Sequence, residues 1–300
     1  MEALSRRPRR AMTEPKPIPK IVIRGLESIE DLRQIEPVEK EVWGLAERDF
    51  SPMTLLIAHK EAGSILIGAF DGDKLAGFAF GFPALDQGRL FVHSHMLAVL
   101  PEYRDLDLGY KLKLAQRDRA LALGIKQMTW TFDPLQSRNA HFNFAKLGVV
   151  SDRYKVDFYG HDSSSVLHQN GTDRLWVTWP LASRRVQRRV QAPQNPTFDL
   201  SPAIPPLVSF NGDGRPARAD LLTALARHRI CIEIPGDIIE VEKRDPALAW
   251  EWRLATRWGF TESFKAGFFA GEYFRNIRGQ QGPGMYLLQR GGISEFAFEC

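Results

Sequence analysis

The order of elements along this chain predicts a mixed α/β (α+β) fold, in which helices flank a central sheet and a second, smaller α/β domain follows. Three observations carry that expectation. Strand-like apolar runs alternate with amphipathic helical stretches through residues 21–180. Residues 92–125, VHSHMLAVLPEYRDLDLGYKLKLAQRDRALALGI, read as a buried strand, a Pro-containing turn, a loop and an amphipathic helix. A hydrophobic content of 44% over 300 residues is enough for one large core or two medium ones.

The first strand covers residues 21–24 and ends at Gly25. Ser28 with Asp31 makes a cap for the helix that follows, whose Ile29, Leu32, Ile35, Val38 and Val42 recur at helical spacing, with a kink expected at Pro37. A second helix spans residues 53–61, begun by Ser51-Pro52 and ended by Gly63. Strands over 64–70 and 75–82 form a hairpin across Asp71-Gly72, a favoured tight-turn pair, and residues 83–89 are read as a loop. In the helix after the central loop, Leu108, Leu112, Ala115, Ala122 and Leu123 share one face, while Lys113 and Arg117 point to the opposite, solvated side. Gly124 ends that helix. A strand over 126–132 alternates Met128, Trp130 and Phe132 with polar neighbours and closes at Asp133-Pro134. Residues 139–147 make a short helix ended by Gly148, and 150–159 and 175–179 are strands.

Four arginines, Arg184, Arg185, Arg188 and Arg189, and then Pro196, Pro202, Pro205 and Pro206 mark residues 183–212 as a linker. Beyond it, residues 213–300 read as the smaller α/β domain: helices near 217–227 and 246–258, a strand over 230–234, and aromatic-rich strands near 264–275 and 285–289. Ala247, Trp250, Leu254 and Trp258 form its expected apolar stripe. That many aromatic rings exceed what about ninety residues can hide, so this part is expected to pack on the first domain, residues 21–182.

Residues 1–20 carry six Lys or Arg against two Glu, which equals the whole formal surplus of +4. They read as a disordered basic arm, with Met12 an alternative start, and the remaining chain is neutral. A basic surface for nucleic acid is therefore not supported. The arm lacks the apolar core of a secretion signal, and no apolar run reaches membrane-spanning length. The two cysteines, Cys231 and Cys300, form no metal pattern and fit a reducing cytoplasm.

A loop that opens a helix leaves its first amide N–H groups without intrahelical acceptors, which is phosphate-binding geometry. With Val99, Pro101, Arg104, Leu108, Gly109 and Leu112 in place, residues 99–112 resemble the acyl-CoA signature of the GNAT acyltransferases, and the element order over residues 21–180 resembles the same fold. The C-terminal part looks like a half-copy of it. Asp107 departs from the pattern, standing where the family has the first glycine; the carboxylate repels a pyrophosphate and its Cβ obstructs positive φ, so it either turns outward or weakens binding. Stretches such as HSHMLAVLPEYR and WTFDPLQSRNAHFNFAKLG resemble more narrowly a GNAT subgroup partly associated with N-acylamino acid racemases.

The resemblance implies acetyl-CoA or another acyl-CoA as co-substrate. The backbone of Leu97, Ala98 and Val99 binds the pantetheine arm as an added strand, main-chain groups of Arg104, Asp105, Leu106, Asp107, Leu108, Gly109 and Tyr110 hold the pyrophosphate, and Asn139 contacts the arm or serves as a plain N-cap. It also implies a tyrosine acid four residues before Gly148, where this chain has Phe144, which cannot protonate a thiolate. His93 and His95 share a strand face and suit a general base, and Asp133 at the neighbouring strand end is a third candidate. Arg253 and Arg257, one helical turn apart, are placed to bind a substrate carboxylate. Two function classes stay open: an N-acyltransferase moving an acetyl or succinyl group to the amine of a small molecule, an amino acid among the candidate acceptors, and a non-catalytic sensor of acyl-CoA or a small carboxylate. No nucleic-acid or membrane partner is expected, and the protein is expected to be a monomer or homodimer.

Overall fold

The computed structural model describes residues 19–160, 170–192, 204–277 and 282–294. Most of the basic arm, Pro196, Pro202 and Cys300 lie outside the described residues. Among the described residues, no helix is long and apolar enough to cross a membrane.

The chain opens with β1 (Ile21–Gly25), α1 (Ile29–Arg33), α2 (Ile35–Trp43) and α3 (Met53–Glu61). Ser28 and Asp31 form a reciprocal capping box on α1, as their spacing suggests. The helical stretch breaks at Gln34, upstream of Pro37, because a proline nitrogen cannot donate to the carbonyl four residues before it. Strands β2 (Ile65–Asp71), β3 (Lys74–Asp86) and β4 (Arg89–Val99) form an antiparallel meander. Residues 83–89 are thus not a loop: β3 runs on to Asp86, and Gln87 and Gly88 turn the chain at φ 49° and 74°.

A 3₁₀ turn (Pro101–Leu106) leads into α4 (Leu108–Ala122), then β5 (Gln127–Phe132), α5 (Ser137–Ala140), a π-helix (His141–Leu147), β6 (Val150–Lys155) and β7 (Arg174–Pro180). Helix α4 buries Leu108, Leu112 and Ala120, and also Lys113 and Gln116, at 2% and 0% exposure. The expectation that Lys113 faces water is therefore wrong. It sits next to the buried Ala120 and Gln116 on the helical wheel, and α4 packs closely enough on β2, β3 and β4 to submerge that shoulder. Arg117 is likewise turned inward, donating from Nε to the Leu181 carbonyl at 2.9 Å.

The expected linker is partly structured. Its arginines form α6 (Arg184–Gln191), capped by Ser183, and its end forms β8 (Pro206–Phe210). Arg185 and Arg189 are held because both reach Glu272, at 2.7 and 2.8 Å, on a distant strand. The rest comprises β9 (Pro216–Arg218), α7 (Leu221–Leu225), β10 (Arg229–Ile234), α8 (Ile238–Arg244), α9 (Pro246–Lys265), β11 (Phe268–Phe274) and β12 (Gly284–Arg290).

Among the described residues, twelve strands belong to one sheet, ordered β1-β2-β3-β4-β5-β7-β6-β11-β12-β10-β8-β9, in which Ser151 of β6 pairs with Ala270 of β11. Gly271 bulges out of β11 beside that joint, and its carbonyl accepts a short hydrogen bond from Arg185. Helix α9 crosses the joint. Its buried face is Ala249, Trp252, Arg253, Ala255, Thr256 and Phe260, whereas Trp250 and Leu254 are 42% and 36% exposed. The expected stripe was therefore rotated, because two arginines that read as polar are turned inward onto carboxylates.

Candidate active site

Strands β4 and β5 are parallel neighbours that pair at only two positions, Val92 with Met128 and His93 with Thr129. Beyond that pair they part, leaving one edge of β4 from Ser94 to Val99 unpaired by any strand while its other edge stays bonded to β3. His95 is an extra residue in β4, lying between the pairs Gly81–Ser94 and Phe80–Met96, so the strand bulges where the gap opens. A cavity of about 710 Å³ fills this gap, lined by His95, Leu97, Lys113, Asp133, Asn139 and Asn143 among others.

Helix α4 lines the cavity through Lys113, its sixth residue. Asp107 occupies the residue before that helix in the left-handed conformation, φ 54°, and its side chain does not cap the helix. Its carboxylate is 71% exposed, with Oδ1 3.4 Å from Lys146 Nζ of the π-helix across the groove. Asp107 thus turns outward and meets a cation. At Gly109 an added Cβ would meet only Leu97 Cδ2, at 3.9 Å, so the backbone there is open to close approach. Free amide groups at the head of α4, an open β4 edge and a groove between α4 and the π-helix fit an acyl-CoA. Asn139 is exposed in the third position of α5, where Gln136 holds the N-cap place, so the plain capping role is excluded and the side chain faces the cavity.

The two histidines share a face, as alternation predicts, both packing on Phe82 with ring centroids 5.5 and 6.0 Å away. Their environments differ. His93 lies against Trp176 at 4.8 Å and its Nδ1 is 3.0 Å from Thr129 Oγ1. Burial, then the neighbouring His95 and Lys113, push its pKa down to about 4, too low for a base at neutral pH. His95 reaches the cavity; crowding by protein, and then His59, lower its pKa as well.

Asp133 and the arginine pair do other work. Arg253, with 0% side-chain exposure, donates to both Asp133 oxygens at 2.7 Å each, and from Nε to the Asn170 carbonyl at 2.8 Å. Burial opposes its charge, and the Asp133 carboxylate more than offsets that, leaving its pKa raised. Asp133 also accepts from the Leu135 amide at 2.9 Å. Its oxygens are therefore committed, and it is a structural wall of the cavity instead of a base. Arg257 donates to both oxygens of Asp173 at 2.8 Å and to Asp157 at 3.1 Å. Arg253 is thus closed to a substrate carboxylate, and Arg257 already holds two carboxylates of the chain itself. Phe144 is fully buried, edge-on to Tyr286 at 5.6 Å, and belongs to the core.

Two cavity residues escaped the sequence. Glu39 of α2 is 1% exposed and accepts from the Ser51 hydroxyl at 2.6 Å and the Ser51 amide at 3.1 Å; burial raises its pKa. Lys113 donates from Nζ to Ser94 Oγ at 2.6 Å and lies 3.8 Å from the Trp130 ring centroid. Burial pulls its pKa down to about 7. The only sequence signal was Ser94, a hydroxyl on the strand face opposite the histidines. Among the described residues, no group of three or more His, Cys, Asp or Glu side chains could hold a metal ion.

Comparison with known proteins finds the following similarities. The ribosomal-protein-S18-alanine N-acetyltransferase from Escherichia coli is 17% identical over 60% of this chain and 100% of that one, with a TM-score of 0.44. An aminoglycoside 6'-acetyltransferase type Ii is 17% identical over 54% of this chain and 99% of that one, with a TM-score of 0.43. The PaiA N-acetyltransferase from Thermoplasma acidophilum, solved in complex with coenzyme A, is 19% identical over 54% of this chain and 99% of that one, with a TM-score of 0.37. No curated protein matches. Residues 27–149 match the family model described as the acetyltransferase (GNAT) family, a span that runs from α1 through the π-helix and holds the open β4 edge, the head of α4 and the bulge at His95. Within its mixed α/β fold this chain carries a GNAT acetyltransferase domain.

Proposed function

We propose that the protein is an acyl-CoA-dependent N-acyltransferase acting on the amine of a small molecule. The observation that carries this reading is the parting of β4 and β5 just past His93 and Thr129, into a cavity lined by Lys113 of α4 and by Glu39 and Trp43 of α2. In this reading the amides of Leu108 and Gly109 hold the pyrophosphate, and Lys146, released from Asp107, adds a cation to it. The open edge of β4 at Leu97, Ala98 and Val99 accepts the pantetheine arm as an extra strand, which aims the thioester at the bulge. The acyl-CoA supplies an activated carbonyl there.

Glu39 and Asp49 line the α2 side of the cavity and give it a negative wall, which favours entry of a cationic amine. An amine attacks only when neutral, and His95 is the titratable side chain on that face placed to take its proton, directly or through water. Holding amine and thioester together in a site walled by Trp43, Phe132 and Phe142 supplies much of the rate by positioning. The acetyl or succinyl character of the donor, and an amino acid as acceptor, belong to this proposal.

The test is thiol release from acetyl-CoA and succinyl-CoA in the presence of a panel of amines and amino acids, with CoA affinity measured calorimetrically. Saturable turnover with an amine supports transfer. Tight CoA binding with no turnover on any amine supports the sensor reading instead, and no CoA binding at millimolar concentration rejects both.

A further inference from the structure

Phe144 leaves the thiolate released by acyl transfer without the expected hydroxyl donor, and its burial against Tyr286 shows that no small movement supplies one. The groove itself holds another proton source. Lys113 sits on the face of the sheet that carries α4 and the π-helix, opposite the histidines. Its ammonium touches the first residue of each strand beyond their last hydrogen-bonded pair, Ser94 on β4 and Trp130 on β5. It therefore lies at the apex of the gap toward which an arm laid along β4 from the head of α4 must point.

We propose that Lys113 is a catalytic residue, the general acid that protonates the departing CoA thiolate, with Ser94 relaying protons to it. This rests on the acyl-transfer reading above. The amine nitrogen bonds to the thioester carbonyl carbon, and the carbon–sulfur bond breaks with its electron pair on sulfur. Lys113 Nζ gives its proton to that sulfur, forming the free thiol and a neutral lysine. The proton shed by the acylated nitrogen leaves on the histidine side of the cavity, and Lys113 regains one from solvent through the Ser94 hydroxyl. One proton leaves nitrogen and one arrives at sulfur.

The surroundings suit a group that must exist in both states. No carboxylate is among the hydrogen-bond partners of Nζ, which are Ser94 Oγ and, at 3.4 Å, Gln116 Oε1, so nothing pins the charge. Ser94 Oγ donates to Gln116 Oε1 at 2.7 Å while Lys113 is charged, and Gln116 Nε2, fully buried, has no partner. Turning that amide over lets Nε2 donate to Ser94, whose hydroxyl then donates to a neutral Nζ. Around it, Ser94 from β4, Trp130 from β5, Gln116 from its own helix and Asn143 from the π-helix are uncharged; the titratable groups on the far side of β4 are His93 and His95, and Glu39 and Asp133 line the remoter cavity wall. Burial brings the ammonium pKa down to about 7, below the ordinary thiol value near ~8.5, so transfer to a thiolate runs downhill.

The probe is the full chain turning over acetyl-CoA with an amine across pH 6 to 9, with CoA affinity measured alongside. In the wild type kcat should fall above neutral pH as Lys113 loses the proton it must deliver. Should wild-type kcat stay level from pH 7 to 9, the proposal is overturned, and this measurement needs no variant to fold. With a turned-over amine, Lys113→Gln should lower kcat roughly a hundredfold and remove the fall in rate above neutral pH, with CoA affinity little changed. Unchanged kcat in the presence of normal CoA binding sinks the acid role alone, whereas absence of CoA binding in the wild type sinks the acyl-transfer reading beneath it.

Discussion

Replacing Lys113 with methionine should stabilise the protein at neutral pH, by an amount that disappears as the solution becomes alkaline. The amine is 2% exposed, and burial lowers its pKa from the ordinary 10.5 to about 7 in the folded state. Between those values the unfolded chain holds a proton that the folded chain has released, so stability rises with pH across that window. Below pH 7 both states are protonated and the full destabilisation is present; above about 10.5 neither is, and it is gone. A gap of ~3.5 pH units at ~1.36 kcal/mol each gives a pH-dependent difference of ~5 kcal/mol between wild type and Lys113→Met, whatever constant offset the lost Ser94 contact adds. Other titrating groups, including the buried Tyr154, Tyr273 and Tyr286, occur in both proteins and cancel. Urea unfolding followed by far-ultraviolet circular dichroism at half-unit steps from pH 6.5 to 10 measures the difference directly. Parallel stability curves for the two proteins would refute the claim that this lysine folds with its charge desolvated and unpaired.

Three more outcomes are expected. Asp133→Ala leaves the Arg253 guanidinium buried without its carboxylate and should cost about 3–5 kcal/mol in denaturant unfolding, most of it recovered in the Asp133→Leu/Arg253→Met double variant; additive costs would show the pair does not act as a unit. His93→Phe should flatten acid destabilisation between pH 6.5 and 4, because the folded state resists protonating His93 while the unfolded state does not, so wild-type stability falls with pH there and the variant's falls less. Asp107→Gly relieves a positive φ and removes a 71%-exposed ion pair with Lys146, so thermal stability should change by no more than about 1 kcal/mol while CoA binds severalfold more tightly; weaker CoA binding would show that the Asp107–Lys146 contact organises the groove.

The fold was legible wherever local chemistry and tertiary environment agree. The Ser28–Asp31 cap, the Asp71-Gly72 turn and the helix over Met53–Glu61 are set by neighbours in sequence, and they stand where their residues indicate. The central loop was legible for a related reason: an open helix head next to Gly109 is a backbone feature written in small residues. Errors arose where a polar side chain finds its partner far along the chain. Residues 184–191 look like a tether because their arginines seem made for water, yet Arg185 and Arg189 meet Glu272 more than eighty positions away. Periodicity put Trp250 and Leu254 inside and Arg253 outside, and the structure reverses this because Asp133, 120 positions away, neutralises Arg253.

The same reversal explains why the candidate site was only half visible. Reading charge as a mark of solvent assigned the free arginines to the substrate and Lys113 to the surface, and each assignment turned out opposite. Arg253 and Arg257 are bound to carboxylates and serve to fasten the C-terminal half against β5 and β7. Lys113 is the buried cation of the groove with no carboxylate hydrogen-bonded to it, and that lack of a counterion keeps its proton transferable: a lysine paired as Arg253 is paired would hold its charge through the whole neutral range and could position a ligand, but not exchange a proton with one. The proposed acid role therefore attaches to a cation that has no carboxylate among its hydrogen-bond partners. No hydrophobic period can reveal it, because the distinction lies in what Ser94, Gln116 and Trp130 do not supply.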